Sequence, residues 1–363
     1  MSSSTNIGLQ PLTDRPVPPL ITDQVALFSK ESIHSVSVMP FDVATAHSKL
    51  KAHEGLLVLG GDFGGDKGII RLFKVVEGKL VIQTDYSDDI QGNDGEGYLD
   101  TLVRAAAYAE GNQIPFGISW GGPLDGTKPL FHPKAKEFLR ELREQYSGDF
   151  AAISSSITSC LNDGPAGAIS GAVEAYQQFK AKNTLFIING GGLGSSAITD
   201  GQLYSEEAGH VPASAALNTY HQQTECGVYN ATYTCIERIG ANKAGIETQW
   251  EANTNSYLRA RDIEDRYKAG DTFAGDLYEH SAWVVAHMVL GLAHAYSLDL
   301  ASPNTAIVAH GGAFKFPHYG ERIAQMLVTY IGARPQLLLA KDYVADGSNA
   351  CLDGAAIAAL YRL

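Results

Sequence analysis

The sequence predicts a two-lobed α/β protein on three observations. Two apolar runs break off in glycine-rich turns and then resume, once at 56–73 and again at 185–198. Around them, short apolar runs of strand character alternate with longer stretches whose apolar residues recur every three or four positions, as on a helix face. The chain of 363 residues is long enough for two domains with separate cores, and with 45% apolar and 18% charged residues it is a folding sequence.

The second turn is the stronger signal. Leu185–Ile188 ends in Asn189, then come Gly190, Gly191, Gly192 and Gly194, followed by Ser195 and Ser196. Without Cβ atoms, such residues let successive backbone N–H groups close on an oxyanion. A plain β-hairpin needs fewer glycines, so phosphate binding is the favoured reading. The first turn follows Leu56–Leu59 and reads Gly60, Gly61, Asp62, Phe63, Gly64, Gly65, Asp66, Lys67. Asp62 suits a hydrated Mg²⁺ beside phosphates and equally suits a turn-stabilising aspartate, while Lys67 is placed to offset phosphate charge. Neither turn has the Gly-Lys-Ser/Thr of a Walker loop. Two such units suit a nucleotide held between two lobes.

These residues resemble the ROK sugar kinases, within the actin, sugar kinase and Hsp70-like ATPase superfamily. Asp62–Lys67 is similar to the family's first phosphate loop, with Asp66 where the family has threonine, and Gly190–Gly194 resembles the second. Glu207-Ala208-Gly209-His210 resembles the family's sugar-contact turn, and Leu161-Asn162-Asp163 its catalytic-base segment. The resemblance runs from Leu56 to the C-terminus. It implies a ribonuclease H-like (actin-like ATPase) fold, each lobe a mixed five-stranded sheet with flanking helices. Asp163 is then the general base, Asn162, Glu207, His210 and Glu237 are the sugar contacts, and Gly311 and Gly312 lie against the adenosine. ATP, Mg²⁺ held through water by Asp62, and a homodimer are implied with them. Zinc is the point of departure: Thr224 replaces one of the family's three zinc-binding cysteines, and extra residues separate Gly227 from Cys235. His210, Cys226 and Cys235 remain, with Glu225 or His221 as a possible fourth ligand, and a zinc-free loop is the expectation because structural zinc is four-coordinate.

Composition narrows the classes further. A net charge of −13, from 27 basic and 40 acidic side chains, with no basic block, argues against nucleic acid or an anionic membrane as partner. Four irregularly spaced cysteines, no secretory signal and no long apolar run point to a cytoplasmic protein.

In chain order, residues 1–55 form an extension outside the family pattern. Its Ser-, Pro- and Thr-rich beginning reads as an arm without regular structure, and Phe41–Lys51 as a short amphipathic helix. Residues 56–180 make the first lobe. Strands Ile69–Val75 and Leu80–Tyr86 continue an antiparallel start, an acidic loop runs from Asp88 to Gly97, and Tyr98–Gly111 is a helix closed by glycine. Pro115–Trp120 is a strand, Phe138–Tyr146 a helix and Ala151–Ile153 a strand. The small residues from Ala166 to Ala172 permit close helix packing; taken by themselves, Asn162 and Asp163 ahead of that helix read as its N-cap. Residues 181–363 make the second lobe, with helical periodicity over Ala260–Leu300, a strand at Thr305–Ala309, a helix at Tyr319–Ile331 and a last helix around Gly354.

The function expected is phosphoryl transfer from ATP to a hexose hydroxyl, with glucose first because Glu207, His210 and Glu237 resemble the glucokinase arrangement. N-acetylmannosamine, fructose or allose as substrate and polyphosphate as donor stay open. From another class, so does a sugar-sensing regulator that binds without phosphorylating; the absence of a helix-turn-helix pattern counts against it.

Overall fold

The computed structural model describes residues 11–64, 67–91, 94–132, 134–220, 226 and 233–363. In chain order, the N-terminal segment gives the short helix α1 (Thr22–Ala26), the strand β1 (Val36–Pro40) and the helix α2 (Val43–Ala52), whose first turn is capped by the Asp42 carboxylate. The antiparallel run β2 (Leu57–Phe63), β3 (Lys67–Val76) and β4 (Lys79–Gln91) follows, then α3 (Tyr98–Gly111) and β5 (Phe116–Trp120). A two-strand ribbon, β6 (Leu124–Asp125) with β7 (Lys128–Pro129), precedes α4 (Lys136–Tyr146), β8 (Ile157–Asn162) and α5 (Asp163–Phe179). Next come β9 (Asn183–Asn189), β10 (Leu193–Thr199), β11 (Gln202–Glu206), α6 (Lys243–Thr254), α7 (Ala260–Lys268) and α8 (Thr272–Ala295). The chain finishes through β12 (Thr305–His310), α9 (Tyr319–Ile331), β13 (Gln336–Leu339) and α10 (Ala350–Tyr361).

Two mixed sheets result, as the sequence predicts. One runs β4-β3-β2-β5-β8, with β2 and β5 parallel and β2 and β3 antiparallel. The other runs β1-β11-β10-β9-β12-β13 and has six strands where five are expected, because Val36–Pro40 of the N-terminal segment adds an edge strand on β11. Two further expectations change. Ala151–Ile153 contributes to a single 3-10 turn at Phe150–Ala152, three apolar residues being too few to hold a ladder. The acidic stretch expected to start a loop at Asp88 instead extends β4 to Gln91, since Arg71 on β3 donates to the Asp88 carbonyl at 3.1 Å and pairs with the Asp89 carboxylate at 2.7 Å.

The chain divides into two compact units, each discontinuous: Met1–Val36 with Ile187–Ser195 and Glu206–Lys341, and Ser37–Phe186 with Ser196–Ser205 and Asp342–Leu363. The second of these is filled by aromatic side chains, Phe63, Tyr98, Phe116, Trp120, Phe138 and Phe150, all fully buried. Its tightest contacts are made by α10. A Cβ added at Gly354 would stand 1.6 Å from the Ala166 carbonyl oxygen on α5, and one at Gly117 on β5 would stand 1.9 Å from that of Ala355. Both obstacles are backbone, so no side-chain rearrangement makes room. In the other unit the 24-residue helix α8 is apolar nearly all round and buried along most of its length.

Gly354→Ala is therefore expected to cost about 3 kcal/mol or more, because α10 must move off α5. Gly111→Ala, in open space at the end of α3, is expected to be neutral or slightly stabilising. Thermal unfolding of the two variants against the parent checks the contrast.

Candidate active site

The unit carrying α10 gathers one set of polar groups at strand and helix ends. Asp62 lies near the end of β2, opposite Ser119 of the parallel strand β5. Its carboxylate accepts a hydrogen bond of 3.0 Å from the side-chain amide of Asn349. Asn349 is the N-cap of α10, its oxygen taking the N–H groups of Cys351 and Leu352. Burial raises the Asp62 pKa, while Ser119, Asn349 and Lys67 favour the charged form.

Asp163 opens α5, with Asn162 as the N-cap. The Asn162 oxygen accepts from Gly164 N–H at 3.1 Å and its amide donates to the Gly122 carbonyl at 2.8 Å. The Asp163 carboxylate accepts from Gly164 N–H at 2.8 Å. Burial first, and the negative charge of Asp62 second, push Asp163 up to about 6, against the nearby backbone N–H groups. Two carboxylates share this end of the sheet, and amides, a hydroxyl and Lys67 are what offset them. That donor chemistry suits a hydrated divalent cation.

Of the first glycine loop, Gly64 is partly exposed, its N–H donating to the Lys67 carbonyl at 3.0 Å, and Lys67 is exposed at the start of β3. Gly65 and Asp66 lie outside the described residues.

The other unit holds the second loop. β9 ends at Asn189, whose amide donates to the Ala241 carbonyl at 2.8 Å and to the Tyr319 hydroxyl at 3.1 Å. Gly190 N–H closes the turn on the Gly192 carbonyl, and the Asn242 amide reaches the Gly191 carbonyl at 3.2 Å. Gly190, Gly191 and Gly192 have no left-handed φ, and a Cβ on any of them would meet nothing within 4 Å. Neither backbone conformation nor protein packing asks for glycine there, and the backbone is left open to approach. Gly194 and Gly311 differ. A Cβ on Gly194 would press the Ile188 side chain at 2.8 Å, and Gly311, with φ of 109°, would place one 2.2 Å from the Asn189 carbonyl oxygen. Gly312 is again open. Asn189 thus ties the Gly190–Gly194 turn to the Gly311 turn.

Glu207, His210 and Glu237 come together in this same unit. Glu207 precedes and His210 ends a single 3-10 turn, with Glu207 Oε2 3.8 Å from His210 Nε2. Burial, then the charges of Arg238 and His34, lower the His210 pKa, favouring the neutral ring. Glu237 turns its carboxylate towards Leu193 N–H at 3.4 Å and stands beside Gly209, where a Cβ would lie 3.3 Å from it. Burial raises its pKa against that N–H, Arg238 and Asn242. On its other side His210 Nδ1 is 3.3 Å from Cys226 Sγ and 3.9 Å from Cys235 Sγ, and the three donor atoms lie within 4.8 Å of one another. Donors on a tetrahedral zinc ion stand roughly 3.5 Å apart, so this set fits three corners of such a site. The wider cysteine spacing does not pull the donors apart. Thr224, Glu225, His221 and Gly227 lie outside the described residues.

Asn349 and Asn242 are site residues that reading the sequence missed. Each precedes a helix and is its N-cap, a signal present in the sequence; nothing there told which carboxylate or carbonyl the free amide would reach.

No curated protein matches the sequence. Among solved structures, the ROK hexokinase of Thermus thermophilus is similar with a TM-score of 0.59 and 22% identity, over 83% of this chain and 97% of that one. A ROK family glucokinase from Streptomyces griseus, in complex with glucose and AMPPNP, gives 0.55 and 20%, over 83% and 98%. A ROK family transcriptional regulator, homolog of the E. coli MLC protein, gives 0.56 and 15%, over 94% and 87%. A model of the ROK family matches residues 99–360, a stretch that takes in Asp163, both sides of the Gly190–Gly194 turn, the Glu207–His210 turn and Gly311. With the two mixed sheets of the actin-like ATPase fold beneath those residues, the chain belongs to the ROK family.

Proposed function

We propose that this chain is a sugar kinase that transfers the γ-phosphoryl group of ATP to a hexose hydroxyl, with Asp163 as general base. The observation that carries this reading is the placement of Asp163: at the head of α5, beside Asp62, with a pKa lifted to about 6. A carboxylate so tuned is charged at neutral pH and still basic enough to take a proton from a hydroxyl as that oxygen becomes a nucleophile. As the sugar oxygen bonds to the γ-phosphorus, its proton passes to an Asp163 oxygen and the bond to the β,γ-bridging oxygen breaks, releasing ADP. Mg²⁺, held through water by Asp62, would neutralise phosphate charge. Asn162, Glu207, His210 and Glu237 orient the sugar through hydroxyl hydrogen bonds, the carboxylates accepting and the imidazole donating or accepting. In the Gly190–Gly192 turn, which Gly190 N–H closes, Gly191 and Gly192 offer backbone N–H groups to phosphate, and Gly311–Gly312 a flat surface to adenosine; Gly64, Gly65, Asp66 and Lys67 complete the phosphate side. Glucose is the first substrate to try, since a structurally similar ROK glucokinase was solved with glucose and AMPPNP.

Purified protein assayed for ATP consumption across hexoses and amino sugars tests this directly. Turnover with glucose is expected. Sugar binding with no turnover on any sugar would favour the non-catalytic sensor reading, which the similarity to a ROK transcriptional regulator keeps in view.

Asp163→Asn is expected to lower kcat by at least ~10²-fold while sugar affinity changes little, because proton acceptance alone is lost. Steady-state kinetics and sugar titration of the variant check it.

Because a raised carboxyl pKa means the base is protonated at mildly acid pH, kcat/KM is expected to fall about tenfold per pH unit below about 6 and to level off above it. A pH–rate profile reads this limb.

We also propose, against the zinc-free loop expected from the sequence, that His210, Cys226 and Cys235 hold a structural zinc ion through donor atoms that lie within 4.8 Å of one another. Elemental analysis of unchelated protein is expected to find one zinc per chain, and Cys226→Ser to lower both zinc content and melting temperature.

A further inference from the structure

The segment 11–36 precedes everything the family model matches, yet it is built into the unit that holds Glu207, His210 and Glu237. Its path is fixed from end to end. The carbonyls of Pro16, Pro18 and Pro19 accept from Arg322, the Tyr330 hydroxyl and the Trp283 indole at 2.8, 2.7 and 3.1 Å, and Ile21 N–H donates to His287 at 2.9 Å. Phe28, 1% exposed, lies on α8 where Gly291 leaves no Cβ: one there would be 2.3 Å from the ring.

What this strap holds is the candidate sugar-contact turn, from both sides. Ahead of the turn, Glu207 N–H donates to the Ile33 carbonyl at 2.8 Å. Behind it, the Gln24 side chain, 0% exposed, donates to the Pro212 carbonyl at 3.0 Å and accepts from Ser214 N–H at 2.6 Å. Pro212 in turn bridges to Cys235, and Ile236 N–H bonds to the Val211 carbonyl at 3.0 Å, one residue before Glu237. A single buried amide thereby fixes the backbone that leads from His210 and, through that bridge, the backbone that leads into Glu237.

We infer that Gln24, one side chain of the N-terminal strap, is a positioning residue of the sugar site, setting Glu207, His210 and Glu237 through the backbone. The inference rests on the reading of those three residues as sugar contacts. A side chain that touches no ligand acts on it by keeping the ligand's partners in one arrangement; when its two hydrogen bonds go, both backbone groups lose their buried partner and the segment settles elsewhere.

Two variants of the full chain separate positioning from mere stability. Gln24→Met keeps the volume and removes both hydrogen bonds; Phe28→Leu weakens the strap's grip on α8 without touching the turn. Gln24→Met is expected to raise the sugar KM, and the sugar Kd by calorimetry, roughly tenfold, with the KM for ATP unchanged. Phe28→Leu is expected to lower the melting temperature with the sugar KM within twofold of the parent. A sugar KM within twofold of the parent in Gln24→Met, or an equal rise in the KM for ATP, overturns the inference, as does an equal rise in sugar KM in Phe28→Leu. A parent chain that neither binds nor phosphorylates any hexose overturns the sugar-contact reading itself, and this inference with it.

Discussion

The approach of α10 to α5 and β5 sets the position of nearly every group around Asp163. With Gly354 and Gly117 at the two contacts, backbone meets backbone, and the helix has one depth at which it can sit. That depth carries the head of α10 to the end of β2, where Asn349 reaches Asp62. It also presses on α5, whose own head is Asp163. Two helix N-termini and the end of a parallel strand therefore converge, and their N–H groups and amides are what let two carboxylates remain partly buried side by side. The raised pKa of Asp163 follows from this packing: the charges sit where the helices put them, with too few donors to lower both.

A glycine-rich string marked the two turns, and the helical stretch Ala260–Leu300, the strand at Thr305–Ala309 and the helix at Tyr319–Ile331 read nearly as they fold, while α6 and β13 went unread. Asn349 shows where legibility stopped. An asparagine ahead of an alanine-rich helix announces a cap, but its other partner, Asp62, is 287 positions away, and no local pattern encodes such a pairing. The extension of β4 failed for a related reason. Asp88 and Asp89 look like loop residues until Arg71, from the neighbouring strand, crosses to them. The triad His210, Cys226 and Cys235 was visible as residue types; that its donors converge despite the longer spacing belongs to the fold.

Glycine itself carries two opposite messages here. At Gly311 the protein leaves no space and bends the backbone to a φ that side chains avoid, so the residue answers to its own chain. At Gly190, Gly191 and Gly192 the space is open and the backbone ordinary, so nothing in the polypeptide asks for glycine. The two kinds sit next to each other because the Asn189 carbonyl borders both. A substitution at the first kind collides with the chain itself and at the second meets open space, although in the sequence both are simply glycine.

The interleaving of the two units bears on how the protein comes into being. One unit needs Ser37–Phe186, Ser196–Ser205 and Asp342–Leu363, so its sheet is made early and its sealing helix last. During synthesis β2, β5 and α5 leave the ribosome with the seat of α10 empty, their small residues exposed to water, while the other unit is translated. The half of the protein bearing Asp62 and Asp163 must wait, unsealed, for roughly the time it takes to add 160 residues, about ten to thirty seconds at ordinary elongation rates. During that interval the face that α10 will cover stays open to water, and a net charge of −13 opposes association between unfinished chains as it does between finished ones.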